Sequence, residues 1–352
     1  MGAAFELGVE MEGRRLGNWQ RALGAAVILA LAAEAGAQGA KAKSKAALAS
    51  ARSAANFVRD WKTFPAIAER DTKSLVYVLG DVHGGYDRLI ALLLKAGLIK
   101  SKNASPVRYA WAGDGSTLVC TGDLIDKGDR SLPVLELVMA IEAQARAAGG
   151  AVIVTMGNHE AEFLAKPLHN KSRIFNAELE AAGLDAIEVA TKSRYGVWMM
   201  NLPVAARVNT WGFAHAGNTA GLTREETARR FREAVDAGEW RSPFLIGPDS
   251  ILEAEKWWKE ESVIDSDLKA FSVRHLVFGH DPGAMKSVTG GARGVIRQKF
   301  DGRIWAIDVG MSPAVNLSQG SLLLIEGEGA RETASNLAAD GTRTVLWKAT
   351  PR

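Results

Sequence analysis

The chain has 352 residues, of which 47% are hydrophobic and 24% are charged, and it contains a single cysteine. This composition excludes a disordered chain and a disulfide-stapled scaffold, and the length suffices for one domain of about 250–300 residues with an appendage. The formal net charge of +3, from 43 basic and 40 acidic residues, gives no reason to expect nucleic acid or an anionic membrane surface as a partner.

The first apolar run, residues 22–33, has the length and the flanks of a secretory signal peptide. Three arginines precede it, and Ala35-Gly36-Ala37 supplies small residues for a signal peptidase. We therefore expect residues 1–37 to be cleaved, which makes the mature chain periplasmic or secreted, with no stable membrane insertion. Two alternatives stay open: a retained N-terminal membrane anchor, and a start of translation at Met11 rather than Met1.

The remaining chain divides into three predicted parts. Residues 38–72, which begin rich in Ala, Lys and Ser, are expected to form a linker and an N-terminal helix. Residues 73–330 are the predicted main domain, with a helical insertion at about 161–205, and residues 331–352 are a predicted C-terminal extension.

Short apolar runs alternate with segments of helical periodicity in the main domain, which indicates an α/β fold. Helices are expected over Tyr86–Ala96 and Ser131–Ala148. Six of the apolar runs share one feature: each leads directly into a side chain able to bind a metal. These are Leu75–Leu79 with Asp81 and His83, Leu118–Cys120 with Asp123, Val152–Met156 with Asn158, Trp211–Ala214 with His215, Leu276–Phe278 with His280, and Ile304–Ile307 with Asp308.

If the six runs are strands, their polar side chains lie at the carboxyl ends, where binding crevices form in α/β sheets. The candidate ligands are two carboxylates, three imidazoles and one amide oxygen, with Asp308 expected to be a structural carboxylate beside them. Such mixed nitrogen and oxygen ligation suits divalent Mn, Fe or Zn. Two such ions bridged by a carboxylate can hold a phosphoryl group and activate water.

Five motifs follow one another within residues 73–312: Gly80-Asp-Val-His-Gly84, Gly122-Asp-Leu-Ile-Asp-Lys-Gly128, Gly157-Asn-His-Glu160, His215-Ala-Gly217 and Gly279-His280. Together they resemble the motifs of calcineurin-like metallophosphoesterases, and more narrowly those of the phosphoprotein phosphatase branch and its bacterial, Shewanella-like group. The resemblance implies a ββ-sandwich flanked by α-helices (αββα) with a centre of two divalent metal ions.

The resemblance also implies a role for each motif residue. It assigns six side chains to metals: Asp81 and His83 to the first ion, Asp123 to both, and Asn158, His215 and His280 to the second. A hydroxide bridging the two ions would be the nucleophile. His159 would be the general acid for the leaving group, with Asp126 orienting its imidazole; the alternative for Asp126 is that it merely caps the helix beginning near Ser131.

Substrate binding departs from the family pattern. The family usually has an arginine directly after the second Asp of the Gly-Asp-x-x-Asp motif, where this chain has Lys127, with Arg130 three residues later. A lysine supplies a point charge but not the forked geometry of a guanidinium. We expect Lys127 or Arg130 to bind the substrate phosphate. A second phosphate-binding arginine is expected between the last two histidine motifs, where the chain offers Arg241 and Lys256.

Several other conspicuous side chains are expected to be structural. Cys120 lies in an apolar run and is predicted to be a small buried hydrophobe. Trp240, Trp257 and Trp258 are expected to pack a helix on a sheet rather than to line a substrate groove. Of the histidines outside the motifs, His169 is expected at the surface and His275 in a structural position.

The predicted enzyme is a metal-dependent phosphatase for phosphomonoesters, acting on a phosphoprotein or a small phosphomonoester. The first alternative is a nucleotide hydrolase or phosphodiesterase on the same centre, because substrate choice depends on insertions and loops. A lesser alternative, which Lys127 alone supports, is a metal- or phosphate-binding protein without turnover. The chain lacks the basic stripe with interleaved aromatics that a nuclease would need.

Overall fold

A computed structural model describes residues 57–102 and 108–350. The predicted signal peptide, residues 1–37, and most of the predicted linker and helix at 38–72 lie outside the described residues. Among the described residues, no helix combines the length and the apolar character needed to cross a membrane.

The described residues form fourteen strands and nine α-helices. The strands are β1 (Ile67–Arg70), β2 (Val76–Leu79), β3 (Ile99–Ser101), β4 (Tyr109–Trp111), β5 (Thr117–Cys120), β6 (Ala151–Val154), β7 (Ala205–Val208), β8 (Trp211–Ala214), β9 (His275–Phe278), β10 (Arg297–Lys299), β11 (Ile304–Ala306), β12 (Ser321–Glu326), β13 (Thr333–Ala338) and β14 (Arg343–Lys348). The helices are α1 (Tyr86–Lys95), α2 (Ser131–Ala147), α3 (Asn158–Ala165), α4 (Arg173–Ala181), α5 (Ala186–Thr191), α6 (Arg194–Met200), α7 (Arg224–Asp236), α8 (Glu261–Phe271) and α9 (Lys286–Thr289).

The strands form two six-stranded mixed sheets and a small hairpin of β3 and β4. The first sheet has the order β1-β7-β8-β9-β11-β10, and β8, β9 and β11 run parallel as neighbours. The second has the order β14-β13-β12-β2-β5-β6, and β2, β5 and β6 run parallel as neighbours. Each sheet thus contains three adjacent parallel strands, and all six apolar runs singled out in the sequence are among them.

The expected ββ-sandwich flanked by helices is confirmed. The strands β2 and β5 are buried along their whole length, as continuous apolar runs covered on both faces should be. The two expected helices at 86–96 and 131–148 match α1 and α2 to within a residue. Helices α3 to α6 occupy the segment between β6 and β7, where the helical insertion was expected.

The sheets also use residues beyond the predicted domain limits of 73 and 330. Strand β1, inside the predicted linker and helix, pairs in parallel with β7, with Ile67 opposite Ala205. Strand β13, inside the predicted C-terminal extension, pairs antiparallel with β12 along six residues, and its Ala334 is fully buried. Both segments therefore complete the sheets of the same fold. Strand β13, Thr-Ala-Ser-Asn-Leu-Ala, has one large apolar side chain, which explains why its sequence did not predict a strand.

Candidate metal centre

The carboxyl ends of the two parallel strand triplets meet at one place. From the second sheet, β2, β5 and β6 lead into Asp81 and His83, Asp123 and Asn158; from the first, β8, β9 and β11 lead into His215, His280 and Asp308. Two hydrogen bonds join the sheets here. The backbone N–H of His280 donates to Asp81 Oδ1 at 3.0 Å, and His215 Nδ1 donates to the carbonyl oxygen of Thr121 at 2.7 Å. The structure therefore brings all six predicted ligand side chains together.

The turns after these strands are tight. His83, Asp123 and His280 all have positive φ, at 44°, 53° and 67°, a conformation that is uncommon in residues other than glycine and is typical of functional sites. Gly122 has a φ of +95°, and a Cβ there would lie 2.5 Å from the nitrogen of Gly157. Only glycine allows the two motif loops to approach this closely.

Asp123 is at the centre of the cluster. Its Oδ2 lies 3.4 Å from His215 Nε2, 3.5 Å from His83 Nε2 and 4.0 Å from His159 Nε2. The ligand atoms of His83, Asp123 and His159 lie within 4.8 Å of one another, and so do those of Asp123, His215 and His280. Asp123 belongs to both groups, which is the position required of a carboxylate shared between two cations.

The remaining predicted ligands lie against these groups. Asp81 Oδ2 is 3.5 Å from His83 Nε2, and Asn158 Oδ1 is 2.9 Å from His215 Nε2. The other nitrogen of His83, Nδ1, lies 3.1 Å from the carbonyl oxygen of Ile125, so that its Nε2 faces the centre. A backbone acceptor on Nδ1 fixes the tautomer in which Nε2 carries no proton, the form that can bind a cation.

The cluster fits divalent cations. Asp81 Oδ2 and Asp123 Oδ2 are buried and have no hydrogen-bond partner among the residues that the structure describes. Burying charged oxygens without partners is costly, and cations between the two carboxylates would remove that cost. The donor set of carboxylates, imidazoles and an amide oxygen matches what Mn, Fe and Zn accept.

The electrostatics favour positive charge at this position. Burial opposes ionisation of Asp123, but the imidazoles of His215 and His159 hold its pKa well below the usual range. Burial lowers the pKa of His215, yet the carboxylates of Asp123 and Asp81 outweigh it and raise that pKa to about 10. Burial lowers the pKa of His280 to about 4, with His215 adding to the effect. Since a cation competes with protons for such ligands, the field that holds a proton on His215 also attracts a metal.

His159 and Asp126 form the predicted pair. His159 Nδ1 lies 3.2 Å from Asp126 Oδ2, while its Nε2 points toward Asp123. Burial lowers the pKa of His159, but Asp123 and Asp126 together raise it above its ordinary value. Asp126 does not cap the helix beginning at Ser131. Its Oδ1 instead accepts backbone N–H groups at the start of α4, in the helical insertion.

Glu160, the last residue of the motif Gly157-Asn-His-Glu160, joins two of the motif loops. Its side chain is fully buried and accepts four backbone N–H groups. The donors and distances are Asp123 at 2.9 Å, Leu124 at 2.8 Å, Ile125 at 3.3 Å and Gly157 at 3.0 Å. Glu160 thus holds the loop that carries Asp123 against the loop that carries Asn158. Its signal in the sequence was its place in Gly157-Asn-His-Glu160.

The side chains expected to bind phosphate differ in their position relative to the cluster. Lys127 is exposed at the edge of the cluster, and its Nζ donates to His83 Nε2 at 2.7 Å. Arg130 points away from the cluster, since it pairs with Asp87 and lies over the Tyr86 ring at 4.5 Å. Arg241 pairs with the buried Glu162 at 3.1 Å. Of Lys127, Arg130 and Arg241, Lys127 is the one whose side chain contacts a predicted metal ligand.

The side chains expected to be structural are packed in the core or lie at the surface. Cys120 is fully buried, which raises the pKa of its thiol to about 12. Trp258 stacks on Phe278 at 5.5 Å, and His275 stacks on Trp211 at 4.0 Å. Asp308 is buried and accepts the Gly310 N–H at 2.8 Å, and burial, reinforced by Asp81, raises its pKa well above the usual range. The polar segment around His169 is exposed, and Trp240 is 2% exposed.

Comparison with known proteins identifies the family. Residues 74–284, which contain all five motifs, match the family described as Calcineurin-like phosphoesterase. The chain is a calcineurin-like phosphoesterase. The resemblance predicted from the five motifs is confirmed, and so is the prediction that the protein is a hydrolase of the metallophosphoesterase class.

This phosphoesterase is similar to several characterised and uncharacterised proteins. The cold-active protein-tyrosine phosphatase of a psychrophilic Shewanella species superimposes with a TM-score of 0.63 at 25% identity, over 80% of this chain and 83% of that one. A protein serine/threonine phosphatase of Saccharomyces cerevisiae shares the fold, with a TM-score of 0.50 at 15% identity over 88% of this chain and 90% of that one.

Two relatives are similar at the level of sequence. An uncharacterised protein of Schizosaccharomyces pombe is 26% identical over 280 residues, which cover 73% of this chain and 80% of its own. A symmetrical bis(5'-nucleosyl)-tetraphosphatase of Hamiltonella defensa is 39% identical, but over 89 residues that cover 25% of each chain. The tetraphosphatase match therefore spans a quarter of that enzyme's length.

Proposed function

We propose that this phosphoesterase hydrolyses phosphomonoesters in the manner of protein phosphatases, with two divalent cations and with His159 as the general acid. The contact of His159 Nδ1 with Asp126 Oδ2 at 3.2 Å is the observation that carries the proposal. It leaves Nε2 facing the cluster at 4.0 Å from Asp123 Oδ2, where it can protonate a leaving oxygen. The similarity to a protein-tyrosine phosphatase over 80% of the chain supports the same reaction class.

Each protein group has a distinct part in this proposal. Bound between Asp81, His83, Asp123, Asn158, His215 and His280, divalent cations would neutralise phosphoryl charge and lower the pKa of water. Asp126 keeps the proton of the imidazole on Nδ1 and holds the ring plane, so that Nε2 faces the leaving group. Lys127, at the edge of the cluster, contributes a positive charge for the phosphate.

The direct test is hydrolysis of p-nitrophenyl phosphate by the full chain, first stripped of metal and then reloaded with Mn²⁺. With phenyl phosphate, whose leaving oxygen is strongly basic, His159→Asn should lower kcat by about 10²- to 10⁴-fold, the usual contribution of a general acid. The loss on p-nitrophenyl phosphate should be smaller, and metal content should stay at the wild-type value. His169→Asn is the matched control, because His169 lies in an exposed polar segment. Full activity in His159→Asn would refute the assignment of the general acid.

A nucleotide hydrolase is the second candidate, and the identity of 39% over 89 residues with the Hamiltonella defensa tetraphosphatase is the observation in its favour. A substrate panel separates the two: a phosphotyrosine and a phosphoserine peptide, a dinucleoside tetraphosphate, and bis(p-nitrophenyl) phosphate. Turnover of the dinucleotide or of the diester alone would favour this alternative. Bound metal without turnover of any substrate would favour a binding protein.

Export of the enzyme is a further part of the proposal, and it rests on the sequence of residues 1–37. Expression of the full chain in a bacterium followed by fractionation and N-terminal sequencing tests it. A periplasmic product starting at Gln38 would support export with cleavage. A membrane-bound product that retains residues 1–37 would favour the anchor.

A further inference from the structure

The start of helix α4 is capped by a residue from a distant part of the chain. Asp126 Oδ1 accepts the backbone N–H groups of Ile174 and Phe175, each at 3.1 Å. Such first-turn N–H groups have no partner within their own helix and need an outside acceptor. The side chain of Ser172, the residue preceding α4, accepts none of these N–H groups among the described contacts. Asp126, 48 residues before Ile174, takes that place.

A residue of α4 in turn caps the start of helix α2. Glu178, on α4, accepts the Ser131 N–H at 2.7 Å through Oε2 and the Leu132 N–H at 2.8 Å through Oε1. Within the described part of the chain, α2 also lacks a side-chain cap from its preceding residue, Arg130. The hydroxyl of Ser131 then accepts the backbone N–H of Asp126 at 3.0 Å. We call Asp126, Ser131 and Glu178, with the α4 N–H groups, the reciprocal caps.

The two oxygens of Asp126 have different partners. Oδ1 is held by α4, while Oδ2 is the atom in contact with His159 Nδ1. Two hydrogen bonds to Oδ1 fix the plane of the carboxylate and therefore the direction of Oδ2. Without them the carboxylate could rotate about its side-chain bonds, and the His159 ring would lose its fixed acceptor.

The same helix also packs on the element that carries His159. Phe175 of α4 is fully buried and contacts Phe163 of α3 edge to face, with ring centroids 4.9 Å apart. His159 lies on the first turn of α3. Helix α4 therefore holds both members of the pair, Asp126 through hydrogen bonds and His159 through the packing of α3.

We propose that helix α4 of the insertion sets the orientation of the general acid, and that Glu178 is a positioning residue for His159 that acts through Ser131 and Asp126. This inference rests on the proposed role of His159 as the general acid. The inference assigns a function to the insertion, namely the alignment of the proton donor. This function is distinct from that of the metal ligands at the strand ends.

The experiment compares leaving groups. A general acid matters most when the leaving oxygen is strongly basic, as in phenyl phosphate, and least when it is weakly basic, as in p-nitrophenyl phosphate. The full chain loaded with Mn²⁺ is assayed on both substrates as wild type, Glu178→Ala and Glu178→Gln. Glu180→Ala is the matched control, because Glu180 is exposed on the same helix. Metal content and melting temperature are measured for every variant.

We expect Glu178→Ala to lower kcat on phenyl phosphate by about tenfold more than on p-nitrophenyl phosphate, a fraction of the total general-acid effect. Glu178→Gln should fall between wild type and Ala, because its one amide oxygen can accept fewer N–H groups. Metal content should stay unchanged, and Glu180→Ala should keep the wild-type ratio of the two rates. If Glu178→Ala does not fold, the ratio in Glu178→Gln decides.

An equal loss on both substrates would make Glu178 a stability residue and would overturn the inference. His159→Asn, assayed alongside, separates this outcome from failure of the proposed function. If His159→Asn shows the selective loss and the Glu178 variants do not, the general acid stands and its positioning by α4 is refuted. If His159→Asn itself shows no selective loss, the proposed function fails first.

Discussion

Replacement of Glu160 by glutamine tests whether the buried carboxylate holds the two ligand loops together. Glu160 accepts four backbone N–H groups, two on each oxygen, from the loops that carry Asp123 and Asn158. A glutamine keeps one acceptor oxygen and turns an NH₂ group toward two of the donors. Two buried N–H groups would thereby lose a carboxylate partner.

The expected size of the effect follows from that count. A buried hydrogen bond to a charged partner contributes about 1.5–3 kcal/mol, so Glu160→Gln should lower the free energy of unfolding by about 3–6 kcal/mol. Burial and the nearby Asp123 raise the pKa of Glu160, so the folded chain binds this proton at higher pH than the unfolded chain does. Wild type therefore gains stability relative to the non-titrating glutamine variant as pH falls, and the loss in Glu160→Gln should grow toward acid pH.

Urea unfolding of the metal-free chain at neutral pH measures this difference without a contribution from metal binding. Glu180→Gln, which removes the same charge at an exposed position, is the control and should change stability by less than about 0.5 kcal/mol. A second measurement, Mn²⁺ content after loading, should show loss of metal in Glu160→Gln. Stability within about 1 kcal/mol of wild type together with full metal content would refute the reasoning.

Three further changes have definite expected outcomes. Burial lowers the pKa of His275 to about 4, from 6.5, so the folded chain binds fewer protons than the unfolded chain between these values. The free energy of unfolding therefore falls by about 2 kcal/mol from pH 7.5 to pH 5. His275→Asn retains a donor for the Gly302 carbonyl, and urea unfolding at both pH values should show that this variant lacks the difference. The same pH dependence in the variant as in wild type would contradict the prediction. Glu253 Oε1 lies 3.5 Å from Asn158 Nδ2 and holds the amide with Oδ1 toward His215. Calorimetry with Mn²⁺ should therefore show Glu253→Ala binding one of two ions at least about tenfold more weakly, and equal affinities would exclude this role. Gly122→Ala should lower the melting temperature and the metal content, because the φ of +95° at Gly122 and the 2.5 Å approach to Gly157 leave no room for a Cβ. A variant with the melting temperature of wild type would show that the two loops can move apart.

The ligand cluster could be predicted because its signals are local. Each strand is a short apolar run that ends in a polar residue, and hydrophobic burial selects such a run as a strand whatever surrounds it. Parallel neighbours then place their carboxyl ends together, as β2 and β5 do with Asp81 and Asp123. Some strands outside the two parallel triplets carry weaker patterns. Strand β13 contains the polar run Thr-Ala-Ser-Asn, and its place depends on pairing with β12 rather than on its own composition.

The orientation of Asp126 and His159 could not be predicted, because the contacts that set it join distant parts of the chain. A capping residue is normally sought directly before the helix or three residues into it. Capping of the helix at Ser131 was accordingly only the alternative to the expected role of Asp126 in orienting His159. The structure shows that Asp126 caps α4 and that α2 is capped by Glu178, 47 residues after Ser131. Neither capping contact can be inferred from neighbouring residues in the sequence, because each forms only when the insertion folds against the motif loop. An insertion of this kind can therefore change while all six ligand residues stay in place, and the change would alter proton donation before it altered metal binding.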